Sequence, residues 1–292
     1  MKDVLVVYKK SLFELYSKST DENVFDYINN QGLDAKAIKE SHDVQKLTLE
    51  HVVSELERRN IQFDMIYRAD LKEITNKELV IVVGGDGTFL EVSHYVNNDK
   101  IPLFGVNSDP KRNFNDVLTG SVGYYMACSK YNFNSIFNNL NSIQKYKLNR
   151  FQLSINDSVL PELVLNDVLI SHSCPAATSR FTFNFEGVKK EYKNSGILIS
   201  TPSGSTAWMY EEGGNVVPLS DDSFQIHPIG KRKREYLFAK ELDVHSLTRQ
   251  GMIYIDGGHL GYDFSLCSTL KIRNGTPLLV LGDLSEKREK YI

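Results

Sequence analysis

The chain has few cysteines, a single tryptophan, little excess charge and no long apolar run. Its three cysteines, Cys128, Cys174 and Cys267, lie far apart and match neither zinc-ligand spacing nor a disulfide framework. They are therefore expected as reduced thiols, as in the cytosol. A formal net charge of −3 gives no electrostatic footprint for nucleic acid or a membrane surface. No apolar stretch approaches the roughly 20 residues that a spanning helix needs. Met1–Tyr8 reads as the start of a strand, without a secretory h-region or an Arg-rich transit segment, so a cytoplasmic protein is expected. The balance, 41% hydrophobic and 24% charged, is that of a globular protein. At 292 residues the chain is long enough for two domains.

What is present is concentrated first in Leu79–Leu90. Five apolar residues, Leu79–Val83, four of them β-branched, read as a buried strand. The strand runs into Gly84-Gly85-Asp86-Gly87-Thr88, and Thr88–Ser93 reads as the first turns of a helix. Glycines let a ligand touch the main chain, and a helix N-terminus offers N–H groups and a positive dipole end to phosphate. An acid in the middle of such a loop is electrostatically misplaced unless it handles a proton, a metal or a sugar hydroxyl. Asp86 therefore points to phosphoryl transfer. The loop is neither a Walker loop nor the dinucleotide fingerprint.

Around this loop, strand and helix signals alternate. Val4–Tyr8, Phe63–Tyr67, Leu79–Val83 and Ile101–Asn107 read as strands, and Leu49, Val52, Val53 and Leu56 form the stripe of an amphipathic helix. This order predicts a mostly parallel sheet covered by helices, with ligands at the carboxyl ends of its strands. Leu12–Glu40 is polar and reads as a long mobile insertion. From about Leu148 short strands with period-two patterning take over: Phe151, Leu153 and Ile155, then Phe181, Phe183 and Phe185, then Ile197–Ser200, Met252–Ile255 and Leu270–Arg273. These predict a β-sandwich-like domain. Leu278–Leu281 fits either domain. The patterns predict an α/β domain carrying the glycine loop over 1–122 and an all-β-rich domain over 123–275.

Two further motifs fall in the second domain. In Leu163–Ile170 an apolar run is interrupted by Asn166-Asp167, which is costly unless both are paired. They either cap their own backbone at a kink or grip a ribose or purine edge. In Asn194–Trp208 a buried strand leads into a loop of small hydroxyl residues, Ser200-Thr201-Pro202-Ser203-Gly204-Ser205-Thr206-Ala207, suited to phosphates or sugar hydroxyls. Trp208 offers either a stacking face or a core residue. Lys231-Arg232-Lys233-Arg234 reads as a solvated loop, with phosphate binding as the alternative.

Gly-Gly-Asp-Gly-Thr alone resembles a motif shared by NAD kinases, diacylglycerol and sphingosine kinases and 6-phosphofructokinases. In combination with Leu165-Asn166-Asp167, Ser200–Ala207 and Asp256-Gly257-Gly258, the chain resembles NAD kinases over most of its length. Gly105–Pro110, Ser195-Gly196 and Trp208 are similar to the mitochondrial-type animal branch and its bacterial relatives. The commoner bacterial pattern has Asn-Glu at the second motif, Asp at 195, contacting the nicotinamide half, and Tyr at 208. The resemblance implies transfer of the γ-phosphoryl of ATP, or of polyphosphate, to the 2′-hydroxyl of the adenosine ribose of NAD. It implies Asp86 as the catalytic acid near that hydroxyl, and Gly84, Gly85, Gly87, Thr88 and Asp256 for phosphate. It implies Asn166, Asp167, Ser195, Ser203, Thr206, Ala207 and Trp208 for NAD. Arg180 would reach a ligand across a dimer interface. The resemblance implies that 276–292 returns to join 1–122 in the α/β nucleotide-binding domain, and that the all-β-rich domain over 123–275 serves NAD binding and oligomerisation. Mg²⁺ is the implied cofactor, with no protein ligand assigned, and a homodimer or homotetramer the implied assembly. A lipid or sugar kinase sharing only the first motif, and a non-catalytic dinucleotide sensor, stay open as alternatives.

Overall fold

A computed structural model describes residues 3–114, 117–185 and 187–291. The chain divides into two compact units.

The first unit comprises Met1–Val96, Lys100–Tyr146 and Leu279–Lys287. Its sheet runs in the order Phe63–Tyr67, Val4–Tyr8, Leu79–Gly84, Leu103–Asn107, Leu278–Leu281, Lys145–Leu148, and Met126–Ser129 also pairs with Leu103–Asn107. Val4–Tyr8 pairs in parallel on both sides, Val6 lying opposite Met65 and Ile81. Leu79–Gly84 is buried along its whole length, as expected of a strand covered on both faces. The 26-residue helix Leu33–Arg58 buries Val52 and Leu56 against Val4, Val6, Ile81 and Phe104. Met126–Ser129 and the helix Phe133–Asn138 belong here because the strand joins the parallel sheet and Phe133 and Phe137 pack edge-on against Phe104. Leu278–Leu281 returns the chain end to this sheet, with Val280 opposite Leu103.

Residues 12–40 are not a mobile insertion. They form the helices Leu12–Tyr16 and Glu22–Asn29 and the start of Leu33–Arg58. The caps explain why. Ser11 and Glu14 make a reciprocal capping box, at 3.1 and 2.8 Å. The Asp21 carboxylate accepts from the N–H groups of Asn23 and Val24.

The second unit comprises Asn97–Asp99, Lys147–Leu278 and Arg288–Ile292. Two six-stranded sheets, antiparallel throughout, make a sandwich. Phe151, Phe181, Phe183, Val244 and Ile272 of one sheet and Val168, Ile197, Phe224, Ile226 and Ile253 of the other form one core. Phe181 and Phe183 face it as the alternation predicts; the side chain of Phe185 lies outside the described residues. No helix among the described residues is long and apolar enough to cross a membrane. The three cysteines are free thiols, and burial pushes that of Cys128 up to about 12.

Candidate active site

In the first unit the chemistry gathers where the strands Val4–Tyr8 and Leu79–Gly84 end. The helix that follows starts at Asp86 rather than Thr88 and runs to Ser93, with Gly85 as N-cap and no side chain capping it. Two of the glycines are sterically dictated. A Cβ on Gly84 would meet the Thr88 side chain within 2.8 Å, and one on Gly85 would meet Ser121 Cβ at 2.9 Å. At Gly87 a Cβ would meet nothing within 4 Å, so its lack of a side chain leaves the loop surface open. Gly85, Asp86, Gly87 and Thr88 border a cleft of about 1050 Å³.

Asp86 does not point freely into that cleft. Its Oδ2 accepts from the Gly123 N–H and its Oδ1 from the Tyr125 N–H, both at 2.9 Å, with Ser121 Oγ 3.4 Å from Oδ2. These bonds fix the carboxylate's orientation, while each oxygen retains a second lone pair for a ligand hydroxyl. The turn it holds is gripped from the other side by Lys287. That Nζ donates to the carbonyls of Gly123 at 2.6 Å, Tyr124 at 3.3 Å and Met126. Burial lowers the Lys287 pKa, and the field of Asp86 opposes the shift.

The sequence reading missed the cations of this cleft. Lys9 and Lys10 follow the strand Val4–Tyr8 directly, and Arg68 follows Phe63–Tyr67. Arg68 Nη1 lies 3.1 Å from Glu91 and 3.5 Å from Thr88 Oγ1. Burial lowers the Lys9 pKa, Asp109 acts in the opposite sense, and Arg68 lowers it further. The available signal was position, since ligands of such sheets sit at the carboxyl ends of the strands. Asp109, also on the cleft, is buried and bonded to Ser41 and Arg112.

In the second unit, the apolar run does break at the second motif: strands span Ser158–Val164 and Asp167–His172, with Leu165 and Asn166 between. The break is held by Asp256 at the end of Gly251–Ile255. Its carboxylate accepts from the N–H groups of Leu165 (2.8 Å), Asn166 (2.7 Å) and Asp167 (2.9 Å). Asp256 itself is left-handed, φ +49°, and its N–H donates to the Asp167 carbonyl at 2.9 Å. The structure thus brings Asp256 to Asn166 and Asp167 within this unit and uses its carboxylate on backbone. Burial, reinforced by repulsion from Asp256, pushes the Asp167 carboxyl up to about 7.

The third motif locks onto the second. Thr201 N–H donates to the Asn166 carbonyl at 2.8 Å and Thr201 Oγ1 to the Leu165 carbonyl at 2.6 Å. A Cβ on Gly204 would collide with the Asn166 backbone, its carbonyl carbon lying 2.6 Å away. Ser203–Thr206 form a buried 3₁₀ turn. Ser205 is structural, accepting from Val217 N–H and Arg288. Thr206 Oγ1 bonds back to the Ser203 carbonyl at 3.4 Å. Ser203 Oγ is buried and bonds to no described residue. Ala207 turns the chain into the short helix Trp208–Glu211. Trp208 is not a core residue: it is 39% exposed, with Nε1 3.3 Å from Glu212.

Ser195 and Arg180 stand apart from this cluster's hydrogen bonds. Ser195 is exposed, tied by its backbone to Ile229 and Ser179. Arg180 is exposed and paired with Glu191 at 2.7 Å. The basic stretch 231–234 is exposed, with Lys231 paired to Glu235.

A glycine loop with a fixed carboxylate at the carboxyl edge of a parallel sheet, beside cations and joined in sequence to a β-sandwich, has the features of a phosphate-binding site. Residues 7–143 match the family model of the ATP-NAD kinase N-terminal domain. The chain is 34% identical over 267 residues to a probable NADH kinase of Oryza sativa subsp. japonica, covering 81% of this chain and 80% of that one. It is 31% identical over 274 residues to an NADH kinase of Arabidopsis thaliana, covering 81% and 83%. In fold it is similar to an NAD kinase from Archaeoglobus fulgidus crystallised in complex with ATP, with TM-score 0.67, 18% identity and 99% of each chain covered. It is likewise similar to yeast NADH kinase complexed with NADH, with TM-score 0.67, 14% identity, and 98% and 86% covered. The chain belongs to the NAD kinase family.

Proposed function

We propose that this chain transfers the γ-phosphoryl of ATP to the 2′-hydroxyl of the adenosine ribose of NAD and of NADH. The observation that carries the reading is the Asp86 carboxylate, oriented by Gly123 and Tyr125 on the open loop of the cleft that Lys9, Lys10 and Arg68 also line. Asp86 accepts the hydroxyl proton as the O2′–Pγ bond forms and the bond from Pγ to the β-bridging oxygen breaks, releasing ADP. Lys9, Lys10 and Arg68, with the N-terminus of the 86–93 helix, neutralise phosphate charge. Gly84, Gly85, Gly87 and Thr88 shape the phosphate loop.

Mg²⁺ suits this donor set as an ion that arrives with the triphosphate. Among the described residues no three His, Cys, Asp or Glu side chains group as ligands. Magnesium typically keeps waters and takes one or two carboxylates beside phosphates, and Asp86 is the carboxylate on the loop. Bound there, it would neutralise charge on the transferring phosphoryl.

Asn166, Asp167, Ser203, Thr206, Ala207 and Trp208 would bind the dinucleotide. The Ser203 hydroxyl, which bonds to no described residue, and the half-exposed Trp208 face support this. Acceptance of both redox forms rests on the neutral Ser195 and on the NADH kinase names of the two plant relatives. Arg180, exposed near a sheet edge, remains available to a partner subunit of a homodimer or homotetramer. Free thiols are in keeping with a cytoplasmic setting. The test is incubation with Mg-ATP labelled at the γ-phosphate and either dinucleotide. Label in the 2′-phosphate of NADP or NADPH supports the reading. Dinucleotide binding without transfer would favour the sensor alternative.

A further inference from the structure

The lining of the cleft at the glycine loop is chemically mixed. It includes the charged side chains of Lys9, Lys10 and Arg68, opposed by Asp34, Asp86 and Asp109, and the start of the 86–93 helix. It also includes the helices of residues 12–29, which contribute Leu12, Leu15, Tyr16, Val24, Tyr27 and Ile28. Leu15 is 47% exposed and Tyr27 51%, so large apolar surfaces remain open in a concave wall beside a phosphate site. Two lining residues, Gln45 and Thr119, each carry a buried oxygen, Oε1 and Oγ1, that bonds to no described residue. Gln45 is held in place by its Nε2 bond to Ser41 Oγ at 3.1 Å.

A triphosphate chain engages cations and N–H groups and has no use for aliphatic and aromatic walls. A nucleoside does. Its base has a π-face to lay on tyrosine or leucine and, where it carries an exocyclic amino group, a donor that the Gln45 amide oxygen could accept if its side chain turns toward the cleft. We propose that the helices of residues 12–29 form the nucleoside-binding wall of the phosphoryl-donor site, selecting a nucleoside triphosphate with an amino-bearing base over inorganic polyphosphate. The inference rests on the kinase reading for its donor, but the wall can be tested by binding alone.

The experiment is calorimetric titration of the full chain with Mg-ATP and, separately, with Mg-bound inorganic tripolyphosphate. It compares wild type, Tyr27→Ser and Leu15→Ser, both at exposed side chains that the core does not need. Wild type should bind ATP at least about tenfold tighter than tripolyphosphate, the scale of one base stacked on a side chain. Each variant should shrink that ratio toward one by weakening ATP alone; unchanged tripolyphosphate binding also shows that the variant is folded. Equal affinity of wild type for the two donors, or variants that lose both equally while keeping the wild-type Tm, would overturn the proposal. Absence of NADP and NADPH formation with ATP would instead count against the kinase reading, leaving the binding ratio to decide the wall.

Discussion

Asp86 accepts hydrogen bonds from the backbone N–H of Gly123 at 2.9 Å, across 37 positions of sequence. With the matching bond from Tyr125, this ties the orientation of the proposed base to a turn elsewhere in the first unit. Replacing Asp86 by Asn should lower kcat by about a hundredfold or more, the scale of a lost general base. The KM for the dinucleotide should change far less, since the amide preserves shape. Near-normal kcat would remove Asp86 from the reaction.

The two outer sides of that turn make a second prediction. Lys287→Met removes the donor to Gly123, Tyr124 and Met126 without touching Asp86. Loss of buried hydrogen bonds to a charged donor costs on the order of 1–3 kcal/mol, so Tm should fall. If Lys287 positions the turn for Asp86, kcat should drop as well, with KM for ATP little changed. A variant that loses stability but keeps kcat would confine Lys287 to a structural role.

The glycines should separate. Gly85→Ala places a Cβ against Ser121 and should destabilise by about 1–3 kcal/mol. Gly87→Ala meets no protein atom and should leave Tm unchanged or slightly raised, by roughly 0.5–1 kcal/mol of helix stability. If phosphate touches the loop at Gly87, the same variant should raise the KM for ATP. Thermal melts and donor titrations on both variants distinguish steric need from ligand contact.

Asp167 predicts a pH dependence. Its folded carboxyl titrates near 7, against an unfolded value near that of an ordinary aspartate, about 4. The folded state therefore holds the proton longer. The stability this group contributes is full below about pH 4 and is lost as pH rises through about 7, with a slope of at most roughly 1.4 kcal/mol per pH unit. Asp167→Asn should flatten that part of the stability profile between about pH 4 and 7. Parallel profiles for the two proteins would contradict the assignment.

Much of this was legible in the residues. The buried run Leu79–Val83 and its glycines announced the phosphate loop, and the period-two phenylalanines announced the sandwich. Asn166-Asp167 carried two readings, a kink and a ligand grip. Asp256 shows that the kink is present, because three N–H groups there need an acceptor. That acceptor lies 89 to 91 positions away, and no local pattern links the two. The helices of residues 12–40 were missed although Ser11 and Glu14 spell a capping box, because the segment's polarity outweighed its caps. Lys9 and Arg68 reach the cleft through sheet order, and Lys287 reaches the turn that holds Asp86 through the returning chain end, neither of which single-sequence periodicity encodes.

Position 195 probes the choice between redox forms. Ser195→Asp adds a charge at an exposed site and should shift kcat/KM toward NAD over NADH by about 1 kcal/mol. An unchanged ratio would mean that the position does not sense the nicotinamide ring.

The central claim is that one fixed carboxylate converts bound ATP and dinucleotide into a 2′-phosphorylated product. Its most direct test is formation of NADP and NADPH by wild type and Asp86→Asn under Mg-ATP, with NAD binding measured on both by calorimetry. The account predicts product from both dinucleotides with wild type, and binding retained but turnover lost in the variant. Equal turnover by the two proteins, or no product from wild type that binds both ligands, would contradict it.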